Sequence, residues 1–210
     1  MIALPRLYAI LDTALARRLG WAPVDLGRAF LEGGARLIQI RAKDEPSGAF
    51  LELCDALVAM ASPYAAAIIV NDRADLARLA GAAGVHVGQE DLPPAKARAI
   101  VGPEAIVGVS THSTAQLLAA AAEPVNYVAV GPVFGTVTKN TGYTAVGLGL
   151  VGEAAARAGD LPIVAIGGIS LERAPEALAA GARSVAVISD LVTGGDPATR
   201  VRAFVERLER

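Results

Sequence analysis

The sequence predicts an α/β protein, a single (β/α)8 barrel of the TIM type. Three observations carry that expectation. Eight short apolar runs are spread along the chain, Ala/Leu-rich stretches of helical character separate most of them, and no composition break or Ser/Gly/Pro linker divides the 210 residues. Residues 1–210 therefore read as one domain, slightly small for an eight-unit barrel.

The apolar runs fall at residues 7–11, 37–40, 67–70, 85–87, 106–109, 127–130, 163–166 and 185–188. Short unbroken runs of this kind fit parallel strands buried on both faces. Helices are expected at 24–31, 47–60, 73–80, 114–121, 153–157, 172–180 and 200–208. Strand–helix alternation implies parallel strands joined by crossover helices. An open doubly wound sheet would also alternate, but eight similar units favour closure. A Gly-Ala pair precedes the second run (Gly34-Ala35) and the eighth (Gly181-Ala182), where glycine can end the preceding helix in a left-handed conformation. The least regular segment, 135–149, reads as a long loop after the sixth strand, and long loops in compact domains are often functional.

Apolar residues make up 53% and charged residues 19%, enough for a core and contrary to disorder. The net charge of −2 offers no basic field for nucleic acid or an acidic membrane, so any cationic site is local. Cys54 is the one cysteine, without an intramolecular disulfide partner, and belongs to the apolar face of a helix. Residues 1–6 lack the apolar core of a signal peptide, and no run of ~18 apolar residues suggests a membrane span. The expected location is cytoplasmic.

In such a barrel the site forms at the carboxyl ends of the strands. The second run leads into Gln39-Ile-Arg41-Ala-Lys43, whose alternation points an amide and two cations to one side. That set suits a phosphate or pyrophosphate. The plainer alternative is a solvated strand end with ion pairs to Asp44 and Glu45. The third run ends in Asn71-Asp72, which could equally cap the following helix. The fourth gives His86-Val-Gly-Gln89-Glu-Asp91-Leu-Pro93, where Asp91 also has a capping reading. Neighbouring strands lie ~4.8 Å apart, so Asp72 and Asp91 could share a Mg²⁺ completed by water and phosphate oxygens. Zinc is disfavoured by two histidines and one cysteine without ligand spacing. His86 reads as structural or pocket-lining.

Further along, Ser110 and His112 either face the mouth or begin a helix capped by Ser113. Residues Thr136, Thr138 and Lys139 place two hydroxyls and a cation in the loop after the sixth run, which reads equally as an ordinary polar loop. Gly167-Gly168 follows the seventh run and Ile188-Ser189 ends the eighth. Those are the positions where barrels build phosphate sites from backbone N–H groups. Gly147, Gly149 and Gly152 match G-x-G-x-x-G, but loop-like residues precede them instead of a strand, so a dinucleotide site is not expected.

Together, in order and spacing, these motifs resemble the thiamine-phosphate synthase family over nearly the whole chain. The resemblance rests on Gln39-x-Arg41-x-Lys43, Asn71-Asp72, His86-Val-Gly-Gln89-x-Asp91-Leu-Pro93, Gly108-Val-Ser110, Gly131-Pro132-Val-Phe134, Thr136-x-Thr138-Lys139, Ile166-Gly-Gly168-Ile and Ile188-Ser189. It implies a (β/α)8 barrel that joins a hydroxymethylpyrimidine pyrophosphate to a thiazole phosphate. Gln39, Arg41, Lys43, Asn71 and Lys139 would hold the pyrimidine pyrophosphate, with Ser110 near the reacting pyrimidine. Arg41, Lys43, Ser110 and Lys139 would be the catalytic set. Thr136, Thr138, Gly168, Ile188 and Ser189 would bind the thiazole phosphate, and Asp72 and Asp91 would bind Mg²⁺. Members are usually dimers, so a homodimer is implied, with small phosphorylated molecules as the other partners. Two departures fall in the loop: Gly135 stands where proline is common, and 140–145 differs from a frequent Pro/Asp-rich version. The alternatives are a sister thiazole tautomerase, whose acid–base histidine would correspond to His112, and a non-catalytic protein that binds phosphorylated ligands.

Overall fold

In the computed structural model, which describes residues 4–135 and 144–209, eight parallel strands close in sequence order. They are β1 (Leu7–Asp12), β2 (Leu37–Arg41), β3 (Ala67–Asn71), β4 (Gly84–Val87), β5 (Ile106–Thr111), β6 (Tyr127–Val130), β7 (Ile163–Ile166) and β8 (Ser184–Val187). Closure is made by β8 against β1, with Leu7 opposite Val185 and Ala9 opposite Val187. The helices are α1 (Thr13–Arg18), α2 (Pro23–Glu32), α3 (Ser47–Ala61), α4 (Ala74–Leu79), α5 (Pro94–Val101), α6 (Thr114–Ala121), α7 (Gly147–Arg157), α8 (Ala174–Ala179) and α9 (Pro197–Leu208). Among the described residues, no helix is long and apolar enough to cross a membrane.

Period-two alternation divides each strand between two cores. Outward residues such as Leu11, Ile40, Val70 and Val85 pack against Leu26, Phe30, Leu57 and Phe204 of the helices. Each large side chain buried there contributes roughly 1.5–3 kcal/mol. Cys54 lies in this layer, fully buried, and burial pushes its thiol up to about 12. Inward residues Tyr8, Ile10, Leu37, Ile69, Tyr127, Ala129, Val164 and Ala186 fill the barrel. Gly108 makes room for one of them: a Cβ there would come within 2.0 Å of Tyr127 Cζ.

All eight expected strands are present, and the glycines before β2 and β8 adopt positive φ, +102° at Gly34 and +109° at Gly181. The helices differ in detail. α1 was not anticipated from the sequence, α5 only through the capping reading of Asp91, and α7 starts at Gly147, so the expected loop 135–149 gives way to helix before its end. The three glycines of the G-x-G-x-x-G match lie in α7.

Candidate active site

The carboxyl ends of the strands surround one cavity. Its wall includes Arg41, Lys43, Asn71, Asp72, His86 and Asp91 on one side, and Gly168, Ile188 and Ser189 on the other. Ser110 and His112 lie between them along the wall, from β5 and the residue after it.

Arg41 ends β2 and pairs with Asp12 at the end of β1. The other Asp12 oxygen accepts from Leu15 N at 2.9 Å and caps α1. One carboxylate thus starts a helix and fixes a guanidinium at the mouth. Lys43 Nζ is 3.0 Å from Asp72 Oδ2. The surface pairs to Asp44 and Glu45 considered above are not what the cations make, since Glu45 pairs with Arg17.

Asp72 has φ +64°, a left-handed conformation that costs a non-glycine residue on the order of 1 kcal/mol. Its N–H donates to the His86 carbonyl at 2.8 Å, tying the ends of β3 and β4. The capping alternative fails: the residue before α4 is Arg73, with no side-chain cap bond. Asp91 does not cap α5 either, because Pro93 holds that position and Asp91 Oδ2 accepts from Gly88 N at 2.7 Å. Burial and the neighbouring Asp91 carboxyl push the Asp72 pKa up, against the lowering pull of Lys43. Two carboxylates forced together in this way suit a divalent cation, which would relieve their repulsion. Among the described residues, no group of three or more His, Cys, Asp or Glu side chains could hold a metal by itself. A hard cation here would complete its oxygen shell with water and ligand, as Mg²⁺ does.

On the opposite side, Gly167 and Gly168 have φ of +99° and +64°. A Cβ on Gly167 would come within 2.5 Å of Pro132, and one on Gly168 within 2.7 Å of the Gly135 carbonyl. Both positions require glycine. Phe134 N donates to the Gly167 carbonyl at 2.9 Å, so the planar peptide directs the Gly168 N–H the opposite way. Ser189 begins a 3-10 turn, Ser189–Leu191, directly after β8 and Ile188. Leu171 N donates to Asp190 Oδ2 at 2.9 Å and links the loops after β7 and β8.

Several expected residues are placed differently from one another. Gln39 is only 2% exposed, lies beneath the cavity and donates from Nε2 to Tyr8 Oη at 2.9 Å. Ser113 is the N-cap of α6, as its plainer reading had it, while Ser110 and His112 reach the cavity. His112 Nδ1 lies 2.5 Å from the Gly131 carbonyl oxygen. Thr136, Thr138 and Lys139 lie outside the described residues, as do 140–143. Asp12, Tyr8 and Tyr127 were not singled out from the sequence. The available signal was Asp12 before an Ala/Leu stretch, and two phenols at inward positions of otherwise aliphatic runs.

Comparison with known proteins decides the family. Residues 7–191 match the family described as TMP-TENI, thiamine monophosphate synthase. The chain belongs to the thiamine monophosphate synthase family. Within it, a thiamine-phosphate synthase of Anaeromyxobacter dehalogenans is 44% identical over 190 residues, covering 89% of this chain and 85% of the relative. One from Thermus thermophilus is 42% identical over 208 residues, 98% of each chain. The solved thiamine phosphate pyrophosphorylase of Pyrococcus furiosus superposes with a TM-score of 0.87 at 31% identity, covering 97% of this chain and 96% of that one. In this member of the thiamine monophosphate synthase family, the cationic and acidic groups of the cavity gather at the ends of β2–β4, and Gly168, Ile188 and Ser189 at the ends of β7 and β8.

Proposed function

We propose that this chain is a thiamine-phosphate synthase, a transferase of thiamine biosynthesis. It joins 4-amino-2-methyl-5-hydroxymethylpyrimidine pyrophosphate to 4-methyl-5-(2-phosphoethyl)thiazole, or its carboxylated form, giving thiamine phosphate and pyrophosphate, with the carboxyl group of the second form leaving as carbon dioxide. The observation that carries the reading is the division of one cavity into two anion-suited sides. Arg41 and Lys43 stand beside the Asp72–Asp91 pair, and Gly168 and Ser189 stand across from them. Two anionic substrates meeting in one cavity need such a division.

In the reaction, the pyrimidine methylene carbon loses its bond to the pyrophosphate oxygen, which departs with the electron pair. The thiazole ring nitrogen donates its lone pair to that carbon. The electron-rich aminopyrimidine supports the cationic carbon between these events, so no enzymic nucleophile is required. Arg41 and Lys43 stabilise the growing charge on the leaving oxygens, and Asp12 keeps the guanidinium aimed at the mouth. Asn71 and Ser110 both line the cavity, and in this reading Asn71 serves the pyrophosphate and Ser110 the pyrimidine. Gln39 supports this side from below, and Lys139 adds a further cation in keeping with the family pattern. Thr136, Thr138, Gly168, Ile188 and Ser189 hold the thiazole phosphate. Bound at Asp72 and Asp91, Mg²⁺ would supply positive charge to the departing pyrophosphate.

Asp72→Asn and Asp91→Asn test the metal assignment. Each should raise the Mg²⁺ concentration for half-maximal rate at least about tenfold, the ratio set by 1.4 kcal/mol of lost binding. Wild-type rate and metal dependence in both variants would exclude these carboxylates as ligands.

A further inference from the structure

Five polar side chains cross the barrel interior as one hydrogen-bonded chain. Gln39 Nε2 donates to Tyr8 Oη at 2.9 Å, and Tyr8 Oη lies 2.9 Å from Tyr127 Oη. Tyr127 Oη is 2.9 Å from His86 Nδ1, and His86 Nε2 is 2.8 Å from Ser110 Oγ. The first three residues are buried in the interior, and the chain reaches the cavity only at His86 and Ser110. Aliphatic side chains usually fill barrel interiors, and buried hydroxyls are costly unless bonded. Here the space is shaped around Tyr127, since Gly108 has no room for a Cβ against its ring. The ring also stacks on His86 at 5.6 Å and meets Tyr8 edge-on at 5.8 Å.

The chain has a direction. An amide N–H can only donate, so Tyr8 Oη accepts from Gln39 and gives its single proton to Tyr127 Oη. Tyr127 in turn gives its single proton to His86 Nδ1. Nδ1 is therefore an acceptor, the imidazole is the neutral Nε2–H tautomer, and Nε2–H donates to Ser110 Oγ. Burial keeps both phenols protonated through this sequence. Turning the Gln39 amide over would reverse every bond. It would also put N–H donors where Gln39 Oε1, a buried acceptor without a partner among the described residues, now sits. Unpaired buried carbonyls are tolerated better than unpaired N–H groups.

We propose that Tyr8 and Tyr127 are positioning residues for Ser110: acting through His86, they make its hydroxyl a hydrogen-bond donor toward an acceptor nitrogen of the substrate pyrimidine. The ligand named here rests on the synthase reading; the direction of the chain does not. Two measurements separate them. Nitrogen NMR of the full chain labelled at its two histidines, assigned with His112→Gln, should show His86 protonated at Nε2 and bare at Nδ1. Tyr127→Phe, which keeps the ring, should weaken that preference. A His86 protonated at Nδ1 in the wild type would overturn the proposal whatever the activity. Kinetics then test the ligand. Tyr127→Phe should lower kcat/KM for the pyrimidine pyrophosphate about tenfold while KM for the thiazole phosphate changes little. In a Ser110→Ala background the same change should have less than about a twofold effect, because coupled residues are not additive. Equal losses in both backgrounds would mean that Tyr127 only supports the fold, and Tyr8→Phe repeats the test if Tyr127→Phe is poorly folded. A wild type without coupling activity would overturn the synthase reading and leave the NMR result to decide the chain.

Discussion

At the residue scale, His112 separates the synthase from a thiazole tautomerase on the same scaffold. It lines the cavity, and its Nδ1 is engaged with the Gly131 carbonyl. A coupling reaction that draws on leaving-group stabilisation needs no acid–base histidine there, whereas a tautomerase does. His112→Ala should therefore keep coupling activity within about tenfold of wild type, the scale of one lost binding contact. Loss of a hundredfold or more in kcat would favour an acid–base role and the rival reading. Arg41, Lys43, Asp72 and Asp91 were legible in the sequence because polar residues at the ends of apolar runs are conspicuous. The chain from Gln39 through Tyr8 and Tyr127 to His86 was not. Its members lie on five different strands, counting Ser110, and no local period relates residues 8, 39, 86, 110 and 127. Only barrel closure brings them together.

At the scale of elements, the strands were readable because burial on both faces leaves unbroken apolar runs. The helices were less so. α1 follows β1 without an intervening residue, and α5 buries only Ala97 and Val101, so neither shows a separate apolar stripe. α7 opens with Gly147, Gly149 and Gly152, which weigh against helix by propensity, yet packing of Val151 and Ala154 in the outer core overrides them. Helix contacts also set where glycine is required. Gly33 ends α2 in an ordinary right-handed conformation, but a Cβ there would come within 2.5 Å of the Ala198 carbonyl and 2.7 Å of Val201 Cβ in α9. Gly48 sits in the first turn of α3 with nothing within 4 Å. Gly33→Ala should destabilise by about 1–3 kcal/mol through overpacking. Gly48→Ala should be neutral or stabilise by up to about 1 kcal/mol. Denaturant unfolding of the two variants checks this, and equal effects would contradict the assigned α2–α9 contact.

At the scale of the whole molecule, the closed barrel turns eight separate strand ends into one cavity. The ends of β2–β4 supply cations and carboxylates, β5 supplies Ser110, and the loops after β7 and β8 supply Gly168, Ile188 and Ser189. The order of strands around the barrel therefore sets the order of chemical groups around the mouth, with Arg41, Lys43, Asp72 and Asp91 on one side, Gly168 and Ser189 on the other, and Ser110 between them. The account stands or falls on whether two phosphorylated substrates react with each other in that cavity. The most direct measurement incubates the purified full chain with the pyrimidine pyrophosphate and the thiazole phosphate, with Mg²⁺ or with a chelator, and follows both products. The account predicts thiamine phosphate and pyrophosphate in equal amounts, formed only when both substrates and Mg²⁺ are present. Pyrophosphate release that ignores the thiazole phosphate, or no thiamine phosphate under any of these conditions, would contradict it.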